Sequence, residues 1–207
     1  ENAKRPNMAI VGGSKISTKI KLLNNLMEQF STIVIGGAMA NTFLYANKIY
    51  IGNSLVEESL INEAISIQIK AKQLNCNLIL PVDVVCGKNI DDKNPIICSI
   101  NEIKSNSMIL DLGMETVKII KNQIINSKMV LWNGPLGAFE FKPYDAGTNA
   151  IVEIIKSNSK KLNIDTLAGG GDTVSAIKNA NAEDGFKYIS NAGGAFLEWL
   201  EGNESPG

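Results

Sequence analysis

Leu131-Trp132-Asn133-Gly134-Pro135-Leu136-Gly137-Ala138-Phe139-Glu140 is the stretch around which the chain is arranged. The apolar run Met129–Trp132 reads as a buried strand, and Asn-Gly-Pro breaks it abruptly. A strand that ends in Gly/Pro punctuation lifts backbone and polar groups out at a sheet's edge. Gly134 and Gly137 leave room for a ligand close to the backbone, and Pro135 stiffens the turn between them. Asn133 and Glu140 are the nearby side chains able to hydrogen-bond a sugar or phosphate. Taken alone, the stretch reads equally well as a strand-to-helix loop that binds nothing. What tips the balance is that other strand ends repeat the design.

Working outward, Met8-Ala9-Ile10-Val11 is followed at once by Gly12-Gly13-Ser14-Lys15, and Thr32-Ile33-Val34-Ile35 by Gly36-Gly37-Ala38. Asp165-Thr166-Leu167-Ala168 runs into Gly169-Gly170-Gly171-Asp172-Thr173, and Lys187-Tyr188-Ile189 into Ser190-Asn191-Ala192-Gly193-Gly194-Ala195. Helices follow: apolar residues recur at three and four from about Ser17 to Gln29, and helical stretches are expected over Met39–Ala46, Val56–Leu74, Glu115–Asn126, Ala146–Ser157 and behind Thr173. Further strands are expected at Asn77–Leu80 and Met108–Gly113, with residues 87–95 as a polar surface loop. Strand and helix alternate throughout. The expected fold is therefore α/β, a three-layer, Rossmann-like parallel sheet with helices on both faces. In such a sheet the four Gly-Gly ends lie along one edge, where open α/β folds bind ligands. Several glycine-lined helix starts on one edge make an anion-binding surface and point to a phosphate-bearing ligand.

Bulk properties narrow the chemistry. The 207 residues carry 20 cations and 21 anions, which gives no electrostatic case for nucleic acid or an anionic membrane as partner. No apolar run approaches the ~20 residues of a membrane helix, and Glu1–Pro6 does not read as a signal peptide. Cys76, Cys86 and Cys98 lack C-x-x-C spacing and suggest reduced core thiols in a cytoplasmic setting. The chain has no histidine, which removes His-based triads, imidazole acid–base catalysis and most zinc sites. Lys, Asp, Glu, backbone amides and a hard cation remain, a set sufficient for phosphoryl transfer.

The familiar phosphate fingerprints are missing. Neither G-x-G-x-x-G nor G-x-x-x-x-G-K-[ST] occurs, so a dinucleotide turn and a P-loop are both unsupported. Lys15 and Lys19, four apart at a helix start, oppose the macrodipole and would be relieved by an anion; two solvated lysines are the alternative, but their place straight after a strand-Gly-Gly turn favours phosphate contact. The amides of Gly169–Thr173 can face phosphate oxygens while Asp172 offers a hard oxygen to Mg²⁺, with a simple helix N-cap as the alternative. Asp91-Asp92 in the polar loop reads as solvated rather than metal-binding.

These motifs carry a resemblance. Gly12-Gly13-Ser14-Lys15-x-Ser17-x-Lys19, Ile35-Gly36-Gly37-Ala38-Met39-Ala40, Leu80-Pro81-Val82-Asp83, Trp132-Asn133-Gly134-Pro135, Gly169–Thr173 and Gly193-Gly194-Ala195 follow the order seen in the phosphoglycerate kinase family. The chain resembles the C-terminal, nucleotide-binding half of that two-domain enzyme over essentially all 207 residues. The resemblance implies phosphoryl transfer between 1,3-bisphosphoglycerate and ADP, with Mg²⁺ and ADP/ATP as ligands. It implies that Lys15 meets the transferring phosphoryl group and that the amides of Gly193 and Gly194 steady it. Lys19, Gly169, Gly170, Gly171 and Thr173 would hold nucleotide phosphates, with Asn133 near them, Asp172 on Mg²⁺ and Glu140 on the ribose hydroxyls. Gly13, Ser14, Gly37, Ala38, Leu55, Ile90, Gly113 and Ala138 would wall the adenine slot.

The sequence departs from the family pattern in two places. Ser14 stands where Gly-Gly-Ala-Lys is usual, and Ser190-Asn191-Ala192-Gly193-Gly194 where Ser-Thr-Gly-Gly-Gly is common. The family's N-terminal domain, which holds phosphoglycerate through histidine and arginines, has no counterpart here; Arg5 is the one arginine. A monomeric nucleotide-binding domain is thus expected, inactive without its partner half. A stand-alone nucleotide-binding module without catalysis is the alternative.

Overall fold

The computed structural model describes residues 4–190. Short β-branched and aliphatic runs form six parallel strands: Asn7–Val11 (β1), Thr32–Ile35 (β2), Asn77–Ile79 (β3), Met129–Asn133 (β7), Asp165–Gly169 (β8) and Tyr188–Ser190 (β9). Their order across the sheet is β3-β2-β1-β7-β8-β9. The quoted strand β7 is central, pairing β1 through Ile10↔Trp132 on one side and β8 through Trp132↔Ala168 on the other.

Side chains alternate across the sheet, and each set meets its own helices. Ala9, Val11, Ile33, Ile35 and Leu131 pack on one face against Ile20–Gln29 (α1), Met39–Ala46 (α2) and Ile61–Gln73 (α3). Met8, Ile10, Val34, Val130 and Trp132 pack on the other against Met114–Ile125 (α4), Ala146–Asn158 (α5) and Gly171–Asn179 (α6). Both faces are dry, which is why the strands read as continuous apolar runs. The three-layer α/β arrangement expected from the sequence is the one observed.

One region departs from it. Asp83–Gly87 (β4), Ile96–Ser99 (β5) and Met108–Leu112 (β6) form a separate antiparallel sheet in the order β5-β4-β6. The strand expected at 108–113 therefore does not join the parallel sheet, and β5 had no sequence expectation. No crossover helix lies between 80 and 108, so these strands can pair only through short antiparallel connections. The first expected helix is also divided. Ile16–Thr18 is a 3-10 turn and α1 begins only at Ile20, with Lys19 at the break.

The small sheet is fixed to the main body by a buried carboxylate. Asp83 accepts from the backbone N–H of Thr116 at 2.7 Å and of Glu115 at 3.0 Å, capping α4. A side chain at Gly113 would put its Cβ 2.1 Å from Asp83 Oδ2, so only glycine fits between cap and helix.

Candidate active site at the carboxyl edge of the sheet

In an all-parallel sheet every strand delivers its C-terminal loop to the same edge, and here the loops lock together through backbone. Gly12 N–H donates to Asn133 O at 2.9 Å, Gly13 N–H to Pro135 O at 3.1 Å and Gly37 N–H to Leu136 O at 2.9 Å. The glycines divide by what their missing side chains would meet. A Cβ at Gly12 would lie 2.0 Å from Pro135 O, and one at Gly134, which also has φ 97°, would lie 2.2 Å from Gly12 O. The room expected for a ligand at Gly134 is thus taken by Gly12, and that at Gly137 by the Asp111 carboxylate, 2.1 Å from a Cβ there. Gly171 is the opposite case, with nothing within 4 Å.

The sequence-expected polar residues meet at the ends of β7 and β8. Lys19 Nζ donates to Asn133 Oδ1, and Asn133 Nδ2 donates to Gly169 O at 2.9 Å. Gly134 N–H donates to Thr173 Oγ1 at 2.6 Å, tying the central loop to the first turn of α6. Gly170, with φ 96°, is the N-cap of α6. Asp172 is therefore inside the first turn, exposed and without a side-chain capping bond, so the N-cap alternative does not hold for it. Lys15 is exposed at the mouth of the Gly12–Gly13 loop and precedes the 3-10 turn. That turn is held by a residue the sequence reading missed: Glu57 accepts from Ser17 Oγ at 2.6 Å and from Ser17 N–H at 3.2 Å.

Beside this network lies a cleft of about 280 Å³. Gly13, Ser14, Gly37 and Ala38 line it from the first two glycine loops, and Ala138, Glu140 and Asp172 from the later ones. Leu55 and Ile90 line it too, Ile90 from the polar loop after β4. Lys15, Lys19, Asn133, Gly169–Gly171 and Thr173 stand outside this lining, Lys19, Asn133, Gly169 and Thr173 being joined in the adjoining network. Gly113 is not in the lining either; its neighbour Leu112 is. Gly193 and Gly194 lie outside the described residues.

The small sheet supplies what was not anticipated, an apolar wall of Met108, Ile109, Leu110 and Leu112. Asp111 stands among them almost wholly buried, its oxygens accepting from Leu112 N–H at 2.8 Å and Gly147 N–H at 2.7 Å. Burial pushes its carboxyl up to about 7 against those two bonds, with Asp145 adding slightly. The polar loop is strapped over this end, Tyr144 donating its hydroxyl to Asp92 O at 2.6 Å and Lys93 Nζ to Lys142 O at 2.9 Å. Burial raises the Cys76 thiol to about 11 and that of Cys86, beside Cys98, to about 12, so neither is a nucleophile at neutral pH.

An apolar cleft next to a helix start, two lysines and a carboxylate suits a nucleotide's base and phosphates. Comparison with known proteins agrees with that geometry. A family model described as "Phosphoglycerate kinase" matches residues 1–203. The chain belongs to the phosphoglycerate kinase family. It is 45% identical to a phosphoglycerate kinase of Xanthobacter flavus, covering 100% of this chain and 52% of that protein. With one of Granulibacter bethesdensis it shares 46% identity over 98% of this chain and 52% of the relative. A solved phosphoglycerate kinase structure from Coxiella burnetii superposes with a TM-score of 0.93 at 38% identity, over 98% of this chain and 52% of the other. The chain spans about half the length of the phosphoglycerate kinases it matches. Among the described residues no helix is long and apolar enough to cross a membrane.

Proposed function

We propose that these 207 residues are the nucleotide-binding, C-terminal half of a phosphoglycerate kinase. The half binds ADP or ATP with Mg²⁺ and, joined to a second half that holds phosphoglycerate, exchanges a phosphoryl group between 1,3-bisphosphoglycerate and ADP. The observation that carries the reading is the juxtaposition at one sheet edge of an apolar slot, the first turn of α6 and the Lys19–Asn133–Gly169 chain.

In this reading the base lies in the slot, Glu140 takes the ribose hydroxyls, and Lys19 and the Gly169–Thr173 turn hold the phosphates. Thr173 Oγ1 already accepts from Gly134 N–H, which leaves its own proton to donate. Asn133 acts through Lys19, fixing the ammonium at the loop junction. Lys15, on the exposed side of the same loop, meets the transferring group, and Gly193 and Gly194 are assigned to steady it through their amides.

The residues also fit a magnesium ion. Among the described residues no group of three or more His, Cys, Asp or Glu could hold a metal unaided. Mg²⁺ does not need one, since it is commonly held by one or two carboxylates together with substrate phosphates, and Asp172 at the cleft's edge is such a carboxylate. When bound, the ion would neutralise phosphate charge. The protein's own part is positioning and electrostatic stabilisation, the main demands of phosphoryl transfer.

Titration calorimetry with Mg²⁺ and ADP tests the assignment. Heat of binding and a thermal shift at millimolar ADP are expected, and the absence of both would reject it. The chain alone should show no turnover above background in a coupled assay, and a phosphoglycerate-binding half added in cis or in trans should restore it. Full turnover from these residues alone would reject the half-enzyme reading. Binding that no added half converts to turnover would favour the non-catalytic module.

A further inference from the structure

Lys15 and Lys19 do not share a helix face as their spacing suggests. On a continuous helix, residues four apart lie on one side. Here the 3-10 turn Ile16–Thr18 intervenes, with Lys15 extended before it and Lys19 in a non-helical conformation after it. Lys15 is left exposed, whereas Lys19 Nζ reaches Asn133 Oδ1. The turn therefore decides where each ammonium goes. Two of its bonds are local, Lys19 N–H to Ile16 O at 2.8 Å and Thr18 Oγ1 to Lys15 O at 2.9 Å. They set the turn's shape but not its orientation. Ile16 is wholly buried in the core and anchors the turn, yet apolar burial has no direction. A directional tie to a distant part of the chain comes from Glu57, which accepts from Ser17 Oγ with one oxygen and from Ser17 N–H with the other.

Glu57 is itself held, at the end of a strap of residues 52–57 that starts on the small sheet. Gly52 bridges to Met108, Asn53 N–H donates to Ser107 O at 2.8 Å, and Ser54 Oγ accepts from Ile109 N–H at 2.8 Å. Further along, Leu55 O accepts from Asn41 Nδ2 at 3.1 Å, and Glu57 N–H donates to Oγ1 of the buried Thr42 at 3.2 Å. Gly52 has φ 59°, and a Cβ there would lie 2.2 Å from Ser107 O, so the start of the strap is fixed too. The strap thus runs, bonded along its length, from the apolar wall to the lysine turn. Hydrogen bonds to an ionised carboxylate are among the stronger kind, and this carboxylate is anchored.

We infer that Glu57 is a positioning residue for phosphate binding: through Ser17 it orients the 3-10 turn that parts Lys15 from Lys19. This rests on the nucleotide assignment above and adds to it a residue that acts without touching the ligand. The sign of its effect is distinctive. A carboxylate beside a phosphate-binding turn repels phosphate, so on charge alone its removal would tighten nucleotide binding. Loss of the turn's orientation works the other way, because the two lysines are no longer held towards the phosphates. A purely structural role has a third signature. Leu55 lines the cleft two residues before Glu57, so a disturbed strap would weaken contacts to the base as much as those to phosphate.

The experiment compares ADP with Mg²⁺ against adenosine, which carries no phosphate, in NMR titrations of the whole 207-residue chain. Glu57→Gln keeps the shape of the side chain but offers Ser17 one acceptor and one donor in place of two acceptors. It is expected to weaken ADP binding roughly three- to tenfold and to leave adenosine binding within about twofold. Ser17→Ala should act in the same direction and add little to Glu57→Gln, because the two substitutions remove one shared contact. Unchanged or tighter ADP binding in Glu57→Gln, equal losses for ADP and adenosine, or fully additive effects of the two substitutions would overturn the inference while leaving the nucleotide assignment intact. Failure of the wild type to bind ADP would remove both. Should Glu57→Gln not fold, Ser17→Ala, at an exposed position, carries the same comparison, and an unchanged ratio of the two affinities would overturn the inference.

Discussion

The cleft is built by two sheets that contribute in different ways. The six-stranded parallel sheet brings its loops to one edge as backbone: glycines pressed against glycines, their amides bonded from loop to loop, and lysines at the helix start. The three-stranded antiparallel sheet brings side chains, an apolar wall with one buried carboxylate, and no glycine loop. The bonds that lock the first two glycine loops to the central loop join main-chain atoms far apart in sequence, so a single added methyl can break the lock. The wall is set by packing and by the charge state of Asp111, so it should respond to pH and to volume. In the proposed reading the rim takes phosphates and the wall a base.

The sharpest way to break the comparison is at the rim. Gly134→Ala would place a Cβ within 2.2 Å of Gly12 O at a backbone φ of 97°. A loss of about 4 kcal/mol or more of unfolding free energy is expected in urea titration, since both the contact and the dihedral oppose it. Gly171→Ala, where nothing lies within 4 Å, should leave apo stability within about 1 kcal/mol, because alanine also favours the helix it enters. Its effect should appear instead as weaker nucleotide binding. Similar losses of stability in both variants would mean that the rim is not the backbone lock described.

Next in size is the chemistry. In a reconstituted two-half enzyme, Lys15→Ala should lower kcat by roughly 10²–10³, the usual effect of losing one charge contact to a transition state, with little change in nucleotide affinity. Lys19→Ala should weaken nucleotide binding as well, because Lys19 is tied through Asn133 to the β8 turn. Equal behaviour of the two lysines in kcat and KM would erase the distinction between a lysine at the mouth and one in the network.

A pH series separates wall from rim. Asp111 has its carboxyl raised by burial from 3.8 to about 7, so the folded chain holds that proton more tightly than the unfolded one. Its contribution to stability is complete below pH ~4 and is lost as pH rises to about 7, where it levels off. The stability of the wild type minus that of Asp111→Asn should therefore fall by roughly 2–4 kcal/mol between pH 4 and 7. A flat difference across that window would show that the two backbone N–H bonds keep Asp111 ionised despite its burial.

The rim was legible in the sequence because its signal is repeated and local: a short apolar run, then glycines, then a helix, three times over among the described residues. The wall was not legible, because its defining contacts are long-range. Ile109-Leu110-Asp111-Leu112 reads as one more apolar strand until Gly147 N–H is found on the carboxylate, 36 residues away. Glu57 meets Ser17 across 40 residues, and nothing in either neighbourhood announces the pair. The antiparallel sheet was missed for a related reason. Residues 81–112 contain strands without an intervening helix, and alternation elsewhere in the chain suggested one continuous sheet.

The smallest expected effect is at the place where rim and wall meet. Asp172 lines the cleft from the first turn of α6, where Gly170 is the N-cap and no side chain caps the helix. With no capping bond to lose, Asp172→Asn removes only a charge that favours the helix start, worth less than about 1 kcal/mol at an exposed position. The unfolding free energy of the apo chain should change by no more than that. If the carboxylate shares Mg²⁺ with the nucleotide, the same substitution should clearly weaken the Mg²⁺ dependence of ADP binding. Asp111→Asn, whose carboxylate is engaged by two backbone amides inside the wall, should leave that dependence unchanged. A magnesium titration that responds to Asp111→Asn but not to Asp172→Asn would invert the assignment of metal to the rim and base to the wall. One that responds to neither would reduce Asp172 to a favourable charge beside a helix terminus.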